Sequence, residues 1–145
     1  MRLKDVMTPN VERIRPQDSP TQAQTLMRVR RVHHLVVVED HEVAGIVTED
    51  QLRAPEAAGA TSVADVMSRR VVTATPGLTV RKAANLMRGS AAGALPVLDR
   101  GRLVGIVTVS DLLELIGRGS ERAVQKTKRW TLRHRGIRPK RSFRR

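Results

Sequence analysis

Apolar positions fall into short runs broken by polar turns, and the runs come in two series. In the first, a short apolar segment at 11–15 ends at Pro16. Ala23, Leu26 and Met27 then lie at helical spacing after Ser19-Pro20, and a proline suits a first helical turn, where its missing N–H would have no partner. Two β-branched runs follow, 35–38 and 43–47, with Glu39-Asp40-His41-Glu42 between them, which predicts a hairpin. A further helix starts at Thr48. The second series predicts a strand at 71–75 ending at Pro76, then a helix capped by Thr79 with Val80, Ala83, Ala84 and Met87 on one face. Runs at 95–98 and 103–107 flank Asp99-Arg100-Gly101-Arg102, and a last helix starts at Thr108. The predicted order is β-α-β-β-α, twice. Strands this apolar are expected to be buried on both faces.

The two series are copies of one unit. Asp5-Val6-Met7-Thr8 recurs as Asp65-Val66-Met67-Ser68, Leu26-Met27-Arg28 as Leu86-Met87-Arg88, and Gly45-Ile46-Val47-Thr48 as Gly105-Ile106-Val107-Thr108. Every pair is 60 residues apart, without a gap. Pro16 and Pro76, Ala23 and Ala83, Leu35 and Leu95, and Val37 and Val97 keep the register. Residues 1–60 and 61–117 are therefore expected to be two repeats, and 118–145 an appendage. A unit of about 50 residues buries little surface alone, so the copies should pack sheet against sheet.

The 145 residues carry a net charge of +13. Residues 118–145 hold 12 of the 27 Lys and Arg and one acid, Glu121, so +11 of that charge sits in the appendage. The only aromatics, Trp130 and Phe143, lie there too, which leaves a core of Val, Leu, Ile, Ala and Met. The absence of cysteine excludes disulfides, thiolate zinc sites and cysteine nucleophiles. No apolar run approaches a membrane span and the N-terminus opens no signal-peptide core, so a soluble cytoplasmic protein is expected. Nothing resembles a nucleophile elbow, a catalytic triad order or a Gly-rich phosphate loop, so no enzyme is expected. His33 and His34 are adjacent, and on a strand they would point to opposite faces, which argues against one shared metal ion. The recurring methionines read as core filler.

The motif Gly105-Ile106-Val107-Thr108-Val109-Ser110-Asp111, preceded by Leu95-Pro96-Val97 and Asp65-Val66-Met67-Ser68, resembles the CBS domain in its tandem form, the Bateman module. The resemblance covers about 115 residues and leaves the appendage unexplained. It implies an α/β (α+β) fold of two β-α-β-β-α repeats packed sheet to sheet into a pseudo-two-fold disc, with a basic C-terminal helix or tail. It also implies frequent dimerisation and clefts between repeats that often bind adenine nucleotides or S-adenosylmethionine.

An adenine nucleotide offers a ribose diol, which suits a carboxylate acceptor, a phosphate, which suits cations or free N–H groups, and a base that suits a dry slot. The resemblance assigns Asp111 to the ribose hydroxyls with Thr108 beside it. The same pair also reads as a helix capping box. In the first copy the aspartate position holds Gln51 and the acid falls at Asp50, about 100° around the helix. One competent cleft is therefore expected. The resemblance places His33 and His34 at the phosphate, with Arg31 on a basic rim; the alternative is that 28–31 is a solvated helix end and the histidines ordinary surface residues. Gly93 and Ala94 would leave room for adenine or simply pack tightly, and Thr73 and Pro96 complete the candidate set. No cofactor is required on this reading.

In the appendage, Ser120 can cap a helix with Ala123, Thr127 and Trp130 on one side. Lys126, Lys128, Arg129, Trp130, Arg133 and Arg135 could engage nucleic-acid phosphates and stack on a base, without sequence preference. A solubilising tail, or a helix docked on a partner subunit or protein, fits the same residues. The sequence thus supports a stand-alone regulatory module that senses an adenine nucleotide and signals to a partner. Its alternative is a homodimeric platform with a basic arm for DNA or RNA and a vestigial cleft. Dimerisation should bury apolar helix faces around Leu26, Leu86, Leu112 and Leu115.

Overall fold

The computed structural model describes residues 1–90 and 92–118. Ser19 starts the first long helix: its hydroxyl accepts the Gln22 N–H at 3.1 Å while the Gln22 side chain accepts the Ser19 N–H at 2.7 Å. That helix, α1, runs Pro20–Arg30, after β1, Arg13–Ile14. The hairpin follows as β2, His34–Glu39, and β3, Glu42–Thr48. Its loop is tighter than the sequence suggests. Glu39 pairs with Glu42, and Asp40 and His41 alone turn the chain, both at positive φ. The short helix α2, Glu49–Arg53, closes the first repeat. The second repeat gives α3, Val80–Met87, then β4, Ala94–Asp99, β5, Arg102–Thr108, and α4, Val109–Arg118.

One expected strand is missing. In the first repeat β1 pairs in parallel with β2, and the Val36 N–H donates to the Glu12 carbonyl. In the second, 71–75 is reduced to a single bridge between Ala74 and Val97. The position equivalent to Val36 is Pro96, which has no N–H to give, so the ladder stops after the Pro96 and Ala74 carbonyls have accepted.

The strands are buried on both faces, as their unbroken apolar character implies. Leu35, Val36 and Val37 are each fully buried. Leu35, Val37 and Val47 face Ala23, Met27 and Leu52 of α1 and α2. Val36 and Ile46 point the other way and meet Ala94 and Ile106 of the second repeat, so the sheets pack face to face.

The leading segments are exchanged between the repeats. Leu3 N donates to Leu78 O and Lys4 N to Pro76 O, while Thr8 and Ile106 exchange both backbone hydrogen bonds. The equivalent set is Val63 N to Asp18 O, Ala64 N to Pro16 O, and Ser68 with Ile46. Leu3 and Val63 are both fully buried, each completing the other repeat. The two sequence repeats are therefore not self-sufficient structural units.

The chain divides into units Met1–Asp111 and Leu112–Arg145, and both sheets lie in the first. In the second unit the described residues continue α4, where Arg118 pairs with Glu114 at 2.6 Å. The exposed apolar residues differ from those expected. Leu86 is exposed, but Leu112 is buried and Leu26 and Leu115 are intermediate; Val29, Leu113 and Ile116 are exposed instead. Among the described residues no helix is long and apolar enough to cross a membrane. The appendage candidates Lys126, Lys128, Arg129, Trp130, Arg133 and Arg135 lie outside the described residues.

Candidate functional site

The start of each repeat's last helix is a capping box built on the shared threonine. In the second repeat the Asp111 Oδ2 accepts the Thr108 N–H at 2.8 Å, and the Thr108 hydroxyl accepts the Asp111 N–H at 3.3 Å. In the first, Gln51 Oε1 accepts the Thr48 N–H at 2.8 Å. Gln51 thus fills the place of Asp111, whereas Asp50 lies on the outside, 92% exposed and 3.3 Å from Arg53. The capping role of Asp111 is real and uses one carboxylate oxygen. The second makes no hydrogen bond among the described residues, so it remains an acceptor on a half-buried anion.

His34 crosses between the repeats. It opens β2 opposite Thr48, and its Nε2 lies 3.1 Å from the carbonyl oxygen of Ala92. A carbonyl only accepts, so Nε2 carries the hydrogen and Nδ1 is left as an acceptor. Burial holds the His34 pKa below its ordinary value. The Ala92 carbonyl works against that, as do the negative charges of Asp111 and Asp50, while the charge on His33 adds to it. Two helix starts, one from each repeat, therefore act electrostatically on one imidazole. Held below 6.5, the His34 ring is neutral at pH 7.

His33 points elsewhere. It is 76% exposed, and its Nδ1 lies 2.7 Å from Glu49 Oε1. The second Glu49 oxygen accepts from Arg53 at 3.0 Å. The hydrogen bond from His33 holds the Glu49 carboxyl below the usual carboxylate range.

A cleft of about 420 Å³ lies beside this pair, lined by His33, His34, Thr48, Glu49, Asp50, Gln51 and Ala92. Thr108 and Asp111 are outside its lining. A second cleft, about 450 Å³, opens on the other side of His33 and Glu49, with Gln24, Met27, Arg28, Arg31, Val32 and Arg53 as its remaining walls. Arg31 is exposed and holds a left-handed backbone conformation, φ 58°, at the end of α1. Gly93 also has positive φ and accepts the Val109 N–H through its carbonyl. Ala94 and Pro96 are fully buried and present no surface to a ligand, and Thr73 is exposed next to the Ala74 bridge.

Sequence reasoning did not single out Glu49, Arg53 or Ala92. Glu49 and Arg53 sit one helical turn apart, and an i, i+4 acid–base pair normally reads as surface decoration. Ala92 contributes only a backbone carbonyl, which has no signature in sequence.

The CBS domain model matches residues 3–54 and again 63–118. The chain is 32% identical over 114 residues to the CBS domain-containing protein YhcV of Bacillus subtilis, covering 76% of this chain and 81% of that one. It is 35% identical over 119 residues to a homoserine O-acetyltransferase of Methanosphaerula palustris, covering 81% of this chain and 24% of the enzyme. The chain spans about a quarter of the length of such enzyme relatives, so the likeness lies in one part of them. Among solved structures, the CBS domain pair of protein MJ0100 in complex with 5-methylthioadenosine and S-adenosyl-L-methionine aligns with a TM-score of 0.74 at 26% identity, over 81% of this chain and 96% of that one. CBSX2 in complex with AMP aligns at 0.68 with 25% identity, over 81% and 96%.

Proposed function

Because the chain belongs to the CBS domain family and carries two CBS domains in tandem, we propose that it is a non-catalytic regulatory module that binds an adenine nucleotide between them and signals occupancy to a partner. The observation that carries this reading is the convergence on His34. The imidazole of the first repeat donates to Ala92 of the second, and Asp111 of the second repeat acts on it. A ligand lying there touches both repeats and is sensitive to how they sit together. The relatives' complexes with AMP and with S-adenosyl-L-methionine support the choice of ligand class.

In this reading the free oxygen of Asp111 accepts from the ribose hydroxyls, with Thr108 beside it. His33 and Arg31 face the phosphate, and His34, neutral, offers Nδ1 as an acceptor. The module works in the cytoplasm as a homodimer and needs no cofactor. Isothermal titration of the full chain with AMP, ADP, ATP and S-adenosylmethionine tests it. Binding of at least one at micromolar concentration is expected; heat-silent titrations with all four would leave the cleft without this role. The second reading, a basic arm for nucleic acid, rests on the +11 charge of 118–145. It expects affinity for any sequence that falls steeply with salt and disappears when 120–145 are removed.

A further inference from the structure

The cleft beside His33 is crowded with arginine on one repeat only. Arg28 and Arg31 come from the end of α1 and Arg53 from α2, and all three are exposed around one pocket of about 450 Å³. Among the described residues no carboxylate lies within ion-pair distance of Arg28 or Arg31. The single acid in the lining, Glu49, is shared by His33 and Arg53.

The second repeat provides an internal control. Its hairpin keeps the same register, and at the positions 60 residues on it carries Gly93, Val109 and Leu113 in place of His33, Glu49 and Arg53, and Ala91 in place of Arg31. Arg28 alone keeps its counterpart, Arg88. The fold therefore does not require these charges. Arg31 is held in a backbone conformation that glycine would adopt at lower cost, which further separates its presence from any need of the helix end.

The pocket adjoins the nucleotide cleft, and His33 and Glu49 line both. Resting on the adenine-nucleotide reading above, we propose that the phosphate chain passes His33 into the arginine pocket, so that the site selects a nucleoside polyphosphate over a monophosphate. The first phosphate lies at His33 and Arg31, and the outer phosphates lie between Arg28 and Arg53, where guanidinium groups bind phosphate oxygens in pairs. In the free protein Glu49 occupies that place. Its carboxylate holds Arg53 and His33 as a phosphate would, and it gives way when the polyphosphate arrives.

The test is calorimetry on the full chain with adenosine, AMP, ATP and inorganic tripolyphosphate, without magnesium. ATP is expected to bind at least tenfold more tightly than AMP. The double variant Arg28→Gln/Arg53→Gln should bring ATP down to the affinity of AMP and leave AMP unchanged. Glu49→Gln should strengthen ATP several-fold by freeing Arg53. Tripolyphosphate should bind and lose its affinity in the double variant. Equal affinity for AMP and ATP overturns the proposal while the adenine reading stands. An ATP preference that survives Arg28→Gln/Arg53→Gln does not come from these arginines and also overturns it. Tripolyphosphate binding that depends on Arg28 and Arg53, with no binding of any adenine compound, keeps the pocket and removes the nucleotide.

Discussion

Met7 of the first repeat lies against Gly105 of the second so closely that a β-carbon on Gly105 would stand 2.5 Å from the Met7 sulfur and 3.1 Å from the Thr8 carbonyl oxygen. The equivalent contact puts a β-carbon on Gly45 at 2.7 Å from the Ser68 carbonyl oxygen and 2.8 Å from the Met67 sulfur. The glycine of each repeat's Gly-Ile-Val-Thr motif and the methionine of the other's leading segment are thus two halves of one contact.

These contacts are not equally forgiving. At Gly105 the nearest atom belongs to a flexible thioether, whereas at Gly45 it is backbone. Both Gly105→Ala and Gly45→Ala should destabilise by about 1–3 kcal/mol through overpacking, with Gly45→Ala the worse. Gly101→Ala meets open space but sits at φ 82°, so its cost is conformational, about 1 kcal/mol. Urea unfolding of the three variants ranks them, and a harmless Gly45→Ala would contradict the exchanged packing.

Asp111 is both a cap and the proposed ribose acceptor, and asparagine separates the two. Asp111→Asn keeps an oxygen for the Thr108 N–H and should hold stability within about 0.5 kcal/mol, while Asp111→Ala should lose about 1 kcal/mol. Both should weaken ribose-containing ligands about ten- to a hundredfold, because a charged acceptor is gone. Asp50→Ala should leave binding unchanged. Calorimetry and unfolding on the same samples give both readouts, and normal binding by Asp111→Asn would end the ribose assignment.

Stability should fall with acid in two steps. His34 is held below its ordinary 6.5, so the unfolded chain takes up its proton first. Its contribution is complete above that value and shrinks as pH drops through it. Asp18, Glu49 and Asp65 are held below their ordinary values of 3.8, 4.5 and 3.8 by Arg15, His33 and the Thr61 backbone N–H respectively. Their contributions are complete above those values and are lost as pH falls further. Melting temperatures between pH 8 and 3 should show both declines, and His34→Gln should flatten only the upper one.

Periodicity made much of this legible. The 60-residue register located both hairpins and both capping threonines, because equivalent residues sit in equivalent places. It could not show that the leading segments are exchanged, since swapped and unswapped pairings repeat with the same period. Nor did it show that Pro96 erases a strand partner, because that depends on which N–H faces the neighbour. The arginine pocket was hidden differently. Residues 28–31 look like an ordinary solvated helix end until Arg53 and Glu49 are brought beside them by the fold. Setting 31, 33, 49 and 53 against 91, 93, 109 and 113 would have exposed the asymmetry.

Val29 is 64% and Leu86 38% exposed on helices of the two repeats, and both are expected to lie in a dimer interface. Sedimentation of the full chain should give a dimer at micromolar concentration. Val29→Asp with Leu86→Asp should convert it to monomer without lowering the melting temperature of dilute samples. A monomeric parent chain would refute the assembly.

The reciprocal anchoring of Leu3 and Val63 also fixes a timetable for synthesis. The segment around Leu3 is made well before its acceptor on Leu78 and the Ile106 partner of Thr8. At about 5–20 residues per second, that segment waits on the order of 5–20 s for Ile106. The first repeat, meanwhile, lacks its own missing wall until Val63 and Met67 have emerged. The first core is therefore complete once Met67 has emerged, while the segment around Leu3 still waits for the second repeat. Until Ile106 is made, the strand bridge of Thr8 has no partner, and buried Leu3 stays uncovered through most of the synthesis of the second repeat.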